Sequence, residues 1–323
     1  MSPAPLPQPA TLPEALGDSP VGRVFLSTPA AARHFLEFFA ARVRNLNTRR
    51  AYLRAAARFA AWCERAGLGL PALQPLHVAA YLEQLSRERS RPTVKQHLAA
   101  LRMLFDWLVL TRVLDANPAA AVRGPKHQVR RGKTPVLTAE EMHVLLESID
   151  ASSLSGLRDR ALIGLMAFSF ARIGAALAMR VEDYYIQGRR GWIRLQEKGG
   201  KVNEMPCHHR LEQFLDEYLR ASGLDREPAA PLFPSFRLGR LTRNPLVQAN
   251  ALAMVRRRAA AAGIRTRITN HTFRATGITT YLQNGGRLEI AQQMAGHESP
   301  RTTSLYDRRH DTLALEEIER IAY

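Results

Sequence analysis

From Thr28 onward the apolar positions of the chain recur at helical spacing. Thr28 followed by Pro29 supplies a cap and a first-turn proline, and Phe35, Phe38 and Phe39 then predict a helix to about Val43. A second stripe, Tyr52, Ala56, Phe59 and Cys63, predicts a helix from Thr48 that stops near Gly67. Val78, Tyr81, Leu82 and Leu85 mark a third from Pro75 to about Arg89, and Leu98, Leu101, Leu104, Phe105 and Leu108 a fourth from Pro92 to about Val113. Four helices with apolar faces make a compact first domain over residues 23–123.

Before it, residues 1–22 are rich in proline, which withholds donors and favours extended chain, so a flexible arm is expected there. After it, residues 124–135 (GPKHQVRRGKTP) carry two prolines, two glycines and four cationic side chains with almost nothing apolar, and read as an interdomain linker. A solvated loop and a basic strap lying on a phosphate backbone both fit that composition.

The second domain, 136–323, opens on a capping box in which Thr138 and Glu141 satisfy each other's ends, with Leu137 and Met142 as a staple. A long apolar helical stretch runs from Leu157 to about Met179. Two strand-like runs flank Gly199-Gly200 between Gly191 and Pro206 and predict a β-hairpin. Helical patterns resume at 211–221, 246–262, 270–284 and 287–295, and an amphipathic tail begins at Leu313. The expected fold class is mainly α with a small β-hairpin or sheet.

At 323 residues, two domains agree with the chain length. The 46 basic against 29 acidic residues give a formal charge of +17, which favours a polyanionic partner, nucleic acid or an anionic membrane surface. The longest apolar run, Ala161–Ala171, is broken by Ser169 and falls short of the ~20 residues a membrane helix needs. The N-terminal segment lacks a basic region followed by an apolar one, so no secretory signal is expected. Cys63 and Cys207 are far apart and outside any CxxC pattern; no disulfide framework or zinc site is indicated, and a reducing cytoplasm fits.

Signatures of common catalysis are missing: no GxxxxGK[ST], no GxGxxG after a strand, no GxSxG and no HExxH. ATP-driven, NAD-dependent and zinc-hydrolytic chemistry are thereby disfavoured. Cys207-His208-His209 looks metal-like, but adjacent strand residues face opposite ways and no second ligand pair lies nearby, so structural use is expected. Only five of the 46 basic residues are lysine, so the lysines that remain are candidates for work arginine cannot do. The informative cluster is Asn270-His271-Thr272-Phe273-Arg274, then Gly296-His297, then Tyr306. His271 and Arg274, three apart, share a helix face, and with Asn270 as cap they would lie at a helix N-terminus that favours phosphate.

Taken together these residues resemble the tyrosine recombinase (phage integrase) family over about residues 25–315. The family's pattern is an early arginine, a hairpin lysine, His-x-x-Arg, a Gly-His, and a tyrosine nine residues later. Here it is filled by Arg172, Lys198, His271 and Arg274, Gly296-His297, and Tyr306. The sequence departs from the pattern beside the first arginine, where the family usually has glycine before it and glutamate three residues after it, and this chain has Ala171 and Ala175.

The resemblance implies a two-domain architecture, a helical core-binding domain followed by a mixed catalytic domain, closing around duplex DNA. It implies a site-specific recombinase or integrase working through a 3′-phosphotyrosine, as a homotetramer on paired sites, with accessory DNA-bending proteins among possible partners. Neither metal, cofactor nor ATP is expected, and the setting implied is a bacterial cytoplasm, at the nucleoid, on a mobile element. A type IB-like topoisomerase and a catalytically idle DNA-binding protein of the same fold are the alternatives.

The chemistry suits the residues. A tyrosine hydroxyl titrates near ~10 and needs cationic surroundings and a proton acceptor, which His271 and His297 can help supply. Arg172 and Arg274 offer always-charged bidentate donors to the non-bridging oxygens of a five-coordinate phosphate. The leaving 5′-oxygen must receive a proton, which lysine can give and arginine effectively cannot; the family's Lys-Gly-x-Lys pattern selects Lys198 over Lys201. The tail (Leu313, Leu315, Ile318, Ile321) is expected to dock on a neighbouring subunit or on its own domain.

Overall fold

The computed structural model describes residues 19–127, 132–197 and 200–307. The arm up to Asp18, the middle of the linker, Lys198 and the whole tail therefore lie outside the described residues. The chain divides into two units, residues 1–128 and 129–323.

In the first unit the helices are α1 (Pro20–Phe25), α2 (Pro29–Glu37), α3 (Leu46–Arg65), α4 (Pro75–Glu88) and α5 (Arg91–Leu110). α1 was not expected. It starts inside the segment read as an arm because Ser19 accepts from the Gly22 amide at 3.1 Å and Pro20 fits the first turn, burying Val21, Val24 and Phe25. α2 runs on into one π turn at Phe38–Arg42, which brings Phe38 and Phe39 into the core. α3 starts earlier than Thr48 because Asn45 caps it, accepting from the amides of Asn47 and Thr48 at 3.0 and 3.1 Å. The expected apolar stripes do form this core: Phe59, Val78, Tyr81, Leu85, Leu101, Leu104 and Phe105 are all buried, with Phe25 filling the same cluster.

The second unit holds α6 (Ala139–Glu147), α7 (Leu154–Phe168), α8 (Ile173–Ala178), strands β1 (Tyr184–Gln187), β2 (Arg190–Gln196) and β3 (Val202–Pro206), then α9 (His209–Ser222). A second hairpin, β4 (Pro234–Arg237) and β5 (Arg240–Pro245), leads to α10 (Gln248–Ala261), α11 (Thr272–Gln283), α12 (Leu288–Ala295) and α13 (Pro300–Ser304). The Thr138–Glu141 capping box forms as expected, with both bonds within 3.1 Å. β1, β2 and β3 make one antiparallel sheet, so the expected hairpin is joined by a third strand; Ile193 and Leu195 of β2 are buried against the helices. No helix among the described residues is long and apolar enough to cross a membrane.

One expectation fails in an instructive place. The apolar run 157–179 is two helices, because Ser169 turns back to the Leu165 carbonyl and Phe170 takes a left-handed backbone (φ 55°). That conformation costs a side-chain-bearing residue about 1–2 kcal/mol, and the buried Phe170 ring, packed with Ile278, Leu282 and Tyr281, offsets it. α11 crosses this break so closely that a Cβ at Gly277 would lie 2.1 Å from the Ala167 carbonyl oxygen. Only glycine fits there.

Candidate active site

The break after α7 places Arg172 as the residue capping α8, with its side chain free to leave the helix. Its guanidinium donates to the Glu197 carboxylate, at the end of β2, and is about one-third exposed. Arg274, on the first turn of α11, is almost fully buried. It donates one arm to the Phe170 carbonyl and the other to the Ala295 carbonyl, tying the break after α7 to the end of α12. Two of its five N–H groups are thereby engaged and three remain. Burial and the neighbouring Arg172 pull the Arg274 pKa down to about 10, so the group keeps its charge at neutral pH.

α12 ends at Gly296 in the left-handed region (φ 56°), where glycine carries no Cβ penalty. The turn delivers His297, whose Nδ1 shares a 2.9 Å hydrogen bond with Thr303 Oγ1, a fully buried hydroxyl on α13. Tyr306 follows, its amide on the Thr303 carbonyl at 2.9 Å and its carbonyl accepting from Thr279 of α11 at 3.1 Å. His297 and Tyr306 stack, with ring centroids 6.0 Å apart. Gly132, at the end of the basic segment, donates its amide to the carbonyl of Leu305, next to this tyrosine.

Burial, then Arg274 and Arg172, lower the His297 pKa to about 4; partial desolvation of the ring, then the same two arginines, also lower that of His271, although the residue as a whole stays open to solvent. The His297 ring is therefore neutral at pH 7 and can accept a proton, while Arg172 and Arg274 supply positive charge beside both rings. His271 itself occupies the cap position of α11 without a capping side-chain bond, so Asn270 is not the cap that was expected. Threonines shape the turn instead, Thr269 donating its amide to Thr272 Oγ1 at 3.0 Å.

Five of the six expected site residues are thus brought together around the two arginines: Arg172, His271, His297 and Tyr306 all lie within electrostatic reach of Arg274. Lys198 lies outside the described residues. Lys201, across the same turn, is exposed and pairs with Glu298 at 3.1 Å. A cleft of about 520 Å³ beside Arg172 and His297 includes Glu197, Lys201 and Glu298 in its wall. Sequence reasoning missed Glu197, Thr303, Thr279 and the two carbonyls that hold Arg274. Thr303 and Thr279 carried no motif, and backbone acceptors leave no trace in a sequence.

Cys207-His208-His209 is not a strand but the entry to α9. His208 caps it, accepting from the Arg210 amide at 3.2 Å, and stacks on Phe168 with centroids 4.3 Å apart. Burial pushes the Cys207 thiol up to about 12. Among the described residues no three His, Cys, Asp or Glu side chains converge as metal ligands.

A helical N-terminal unit followed by a mixed unit with a small antiparallel sheet is the architecture of enzymes that break and rejoin DNA strands through a tyrosine. The Phage integrase family matches residues 135–312, and its N-terminal SAM-like domain matches residues 32–111. The chain belongs to the phage integrase family and is a tyrosine-type site-specific recombinase.

Among its relatives, the tyrosine recombinase XerD of Chlorobaculum tepidum is 28% identical over 80% of this chain and 85% of its own length. XerD of Mycobacterium leprae is 33% identical over 65% of this chain and 67% of its own. In solved structures the fold is similar to the XerH site-specific recombinase bound to palindromic difH, with TM-score 0.67 and 21% identity over 90% of this chain and 87% of that one. A lambda integrase fragment on a core site gives TM-score 0.66 and 20% identity over 88% and 97%.

Proposed function

We propose that Tyr306 is the nucleophile that cleaves duplex DNA, and that Arg172, Lys198, His271, Arg274 and His297 complete its site. The observation that carries the reading is the stacking of His297 on Tyr306 within reach of two arginines, one of them clamped by backbone carbonyls. The Tyr306 hydroxyl attacks phosphorus; its oxygen–phosphorus bond forms, the phosphorus–5′-oxygen bond breaks, and the phenolic proton passes to a neutral imidazole. Arg172 and Arg274 meet the charge that gathers on the non-bridging oxygens. Lys198 gives its proton to the departing 5′-oxygen. A 3′-phosphotyrosine remains, and a 5′-hydroxyl of another strand reverses the steps, so bond energy is conserved and no ATP is consumed.

The partner is double-stranded DNA, in line with the DNA complexes of XerH and lambda integrase, and strand exchange requires a homotetramer on paired sites. A lambda integrase tetramer on a Holliday junction supports that assembly by analogy of fold. Residues 20–123, which take in the whole of α1, act as core-binding domain, 124–135 as basic linker and 136–323 as catalytic domain, in the bacterial cytoplasm at the nucleoid and on a mobile element.

The test is covalent capture. Sheared DNA of the genome that carries the gene is incubated with the protein, quenched in SDS, and the protein-linked fragments are sequenced. A recurrent sequence joined to Tyr306 through its 3′-phosphate supports recombination at that site. Adducts spread without sequence preference point to a relaxing topoisomerase, and no adduct at all points to an idle DNA-binding protein.

A further inference from the structure

We infer that Glu197 is the positioning residue of this active site: one carboxylate that orients Arg172 and balances the two guanidiniums. The inference rests on the proposed site, and begins with a position that should have been filled and is not. Ala175 stands three residues after Arg172, at the third position of α8, and is buried with no group to offer. Arg172 therefore has no carboxylate partner on its own helix.

The structure supplies one from the hairpin. Glu197 accepts from Arg172, and its side chain is 5% exposed, against 34% for the arginine. Burying a carboxylate without a partner is costly, and Arg172 is the partner here. The arginine is correspondingly fixed at one arm, with about one-third of its side chain still exposed.

The Glu197 backbone does a second job. Its amide donates to the Lys201 carbonyl at 2.7 Å, extending the β2–β3 pairing beyond Gln196 and Val202. The same residue thus holds the Arg172 guanidinium by its side chain and pairs the ends of β2 and β3 by its main chain.

Space and charge agree. A Cβ at Gly296 would lie 3.6 Å from Glu197 Cγ and 4.0 Å from the Arg172 guanidinium, so the turn before His297 packs directly over the pair. Arg172 lowers the pKa of Arg274 and Glu197 raises it, so this carboxylate offsets the repulsion of two neighbouring cations before a phosphate arrives.

The experiment uses full-length protein and a nicked duplex of the sequence recovered by covalent capture. DNA affinity, the single-turnover rate of SDS-stable adduct formation and the melting temperature are measured for wild type, Glu197→Gln, Glu197→Ala, and each variant combined with Ala175→Glu. A glutamate at 175 sits one helical turn from Arg172 and can reach back to it, as in a capping box. The expected result is adduct formation slowed about 10–100-fold in Glu197→Gln and Glu197→Ala, DNA affinity within about threefold of wild type, and at least tenfold recovery of rate with Ala175→Glu.

Glu197→Gln that cleaves within threefold of wild type would overturn the inference. So would a double variant that regains the melting temperature without regaining the rate, since Glu197 would then be needed only for folding. Failure of the wild type itself to form an adduct would instead count against the recombinase site, not against Glu197.

Discussion

His297 and Tyr306 lie face to face, their rings 6.0 Å apart at the centroids and within 8° of parallel. The stack is made by ring faces, so it survives loss of the phenolic oxygen. Tyr306→Phe should bind the recovered site within about twofold of wild type by electrophoretic mobility shift and yield no SDS-stable adduct. An adduct formed by Tyr306→Phe would show that another residue is the nucleophile.

The neutral state of His297 gives a pH prediction. Its folded pKa is near 4, below the ordinary histidine value of about 6.5. Between those values the unfolded chain binds more protons than the folded one, so stability rises with pH through that window. His297's contribution is complete above about pH 6.5 and is lost as pH falls toward 4. Lowering the pH from 7.5 to 5.5 should therefore depress the wild-type melting temperature by a few degrees more than that of His297→Asn. Equal depression in both proteins, measured by calorimetry without DNA, would mean that His297 is not held neutral.

How much of this was legible beforehand depends on what kind of signal each feature leaves. The packing faces were legible because helical periodicity is written in side chains: Leu98, Leu101, Leu104, Phe105 and Leu108 of α5 repeat at the spacing of the buried stripe they form. The site residues stood out by type and spacing. The break at Ser169–Phe170 was not legible, since its residues continue an apolar run and only the tertiary fit of the Phe170 ring selects the left-handed turn. β4 and β5 escaped for a similar reason: their tight turn places Leu238 as well as Gly239 at positive φ, a choice leucine does not advertise. Glu197 was visible in the hairpin motif, yet its bond to a residue 25 positions earlier is a property of the fold alone.

That second hairpin motivates a prediction about binding. Arg237 and Arg240 are cross-strand neighbours at its tip, both exposed, with no carboxylate pairing to either among the described residues. Like charges directly opposite each other repel, and a phosphate between them would remove the penalty. Wild-type affinity for duplex DNA should fall roughly a thousandfold or more between 50 and 200 mM salt, as expected when about six phosphates are neutralised. Arg237→Ala combined with Arg240→Ala should reduce the slope of log affinity against log salt by about 2. An unchanged slope would remove the hairpin from the DNA-contacting surface.

The last prediction separates the two hairpin lysines. Lys201 is already committed to Glu298 at 3.1 Å, whereas the family's Lys-Gly-x-Lys pattern points to Lys198 as the acid. A general acid must come within about 3 Å of the leaving 5′-oxygen during cleavage, and a lysine that only binds need not. Substituting sulfur for that oxygen creates a leaving group that departs with little protonation. Loss of the acid should then be largely repaired by the substrate, and loss of a binding group should not. On 5′-phosphorothiolate DNA, Lys198→Ala should recover to within about tenfold of wild type, while Lys201→Ala keeps whatever defect it shows on ordinary DNA. Recovery confined to Lys201→Ala would exchange the two roles, and recovery of neither would place the proton donor outside this turn.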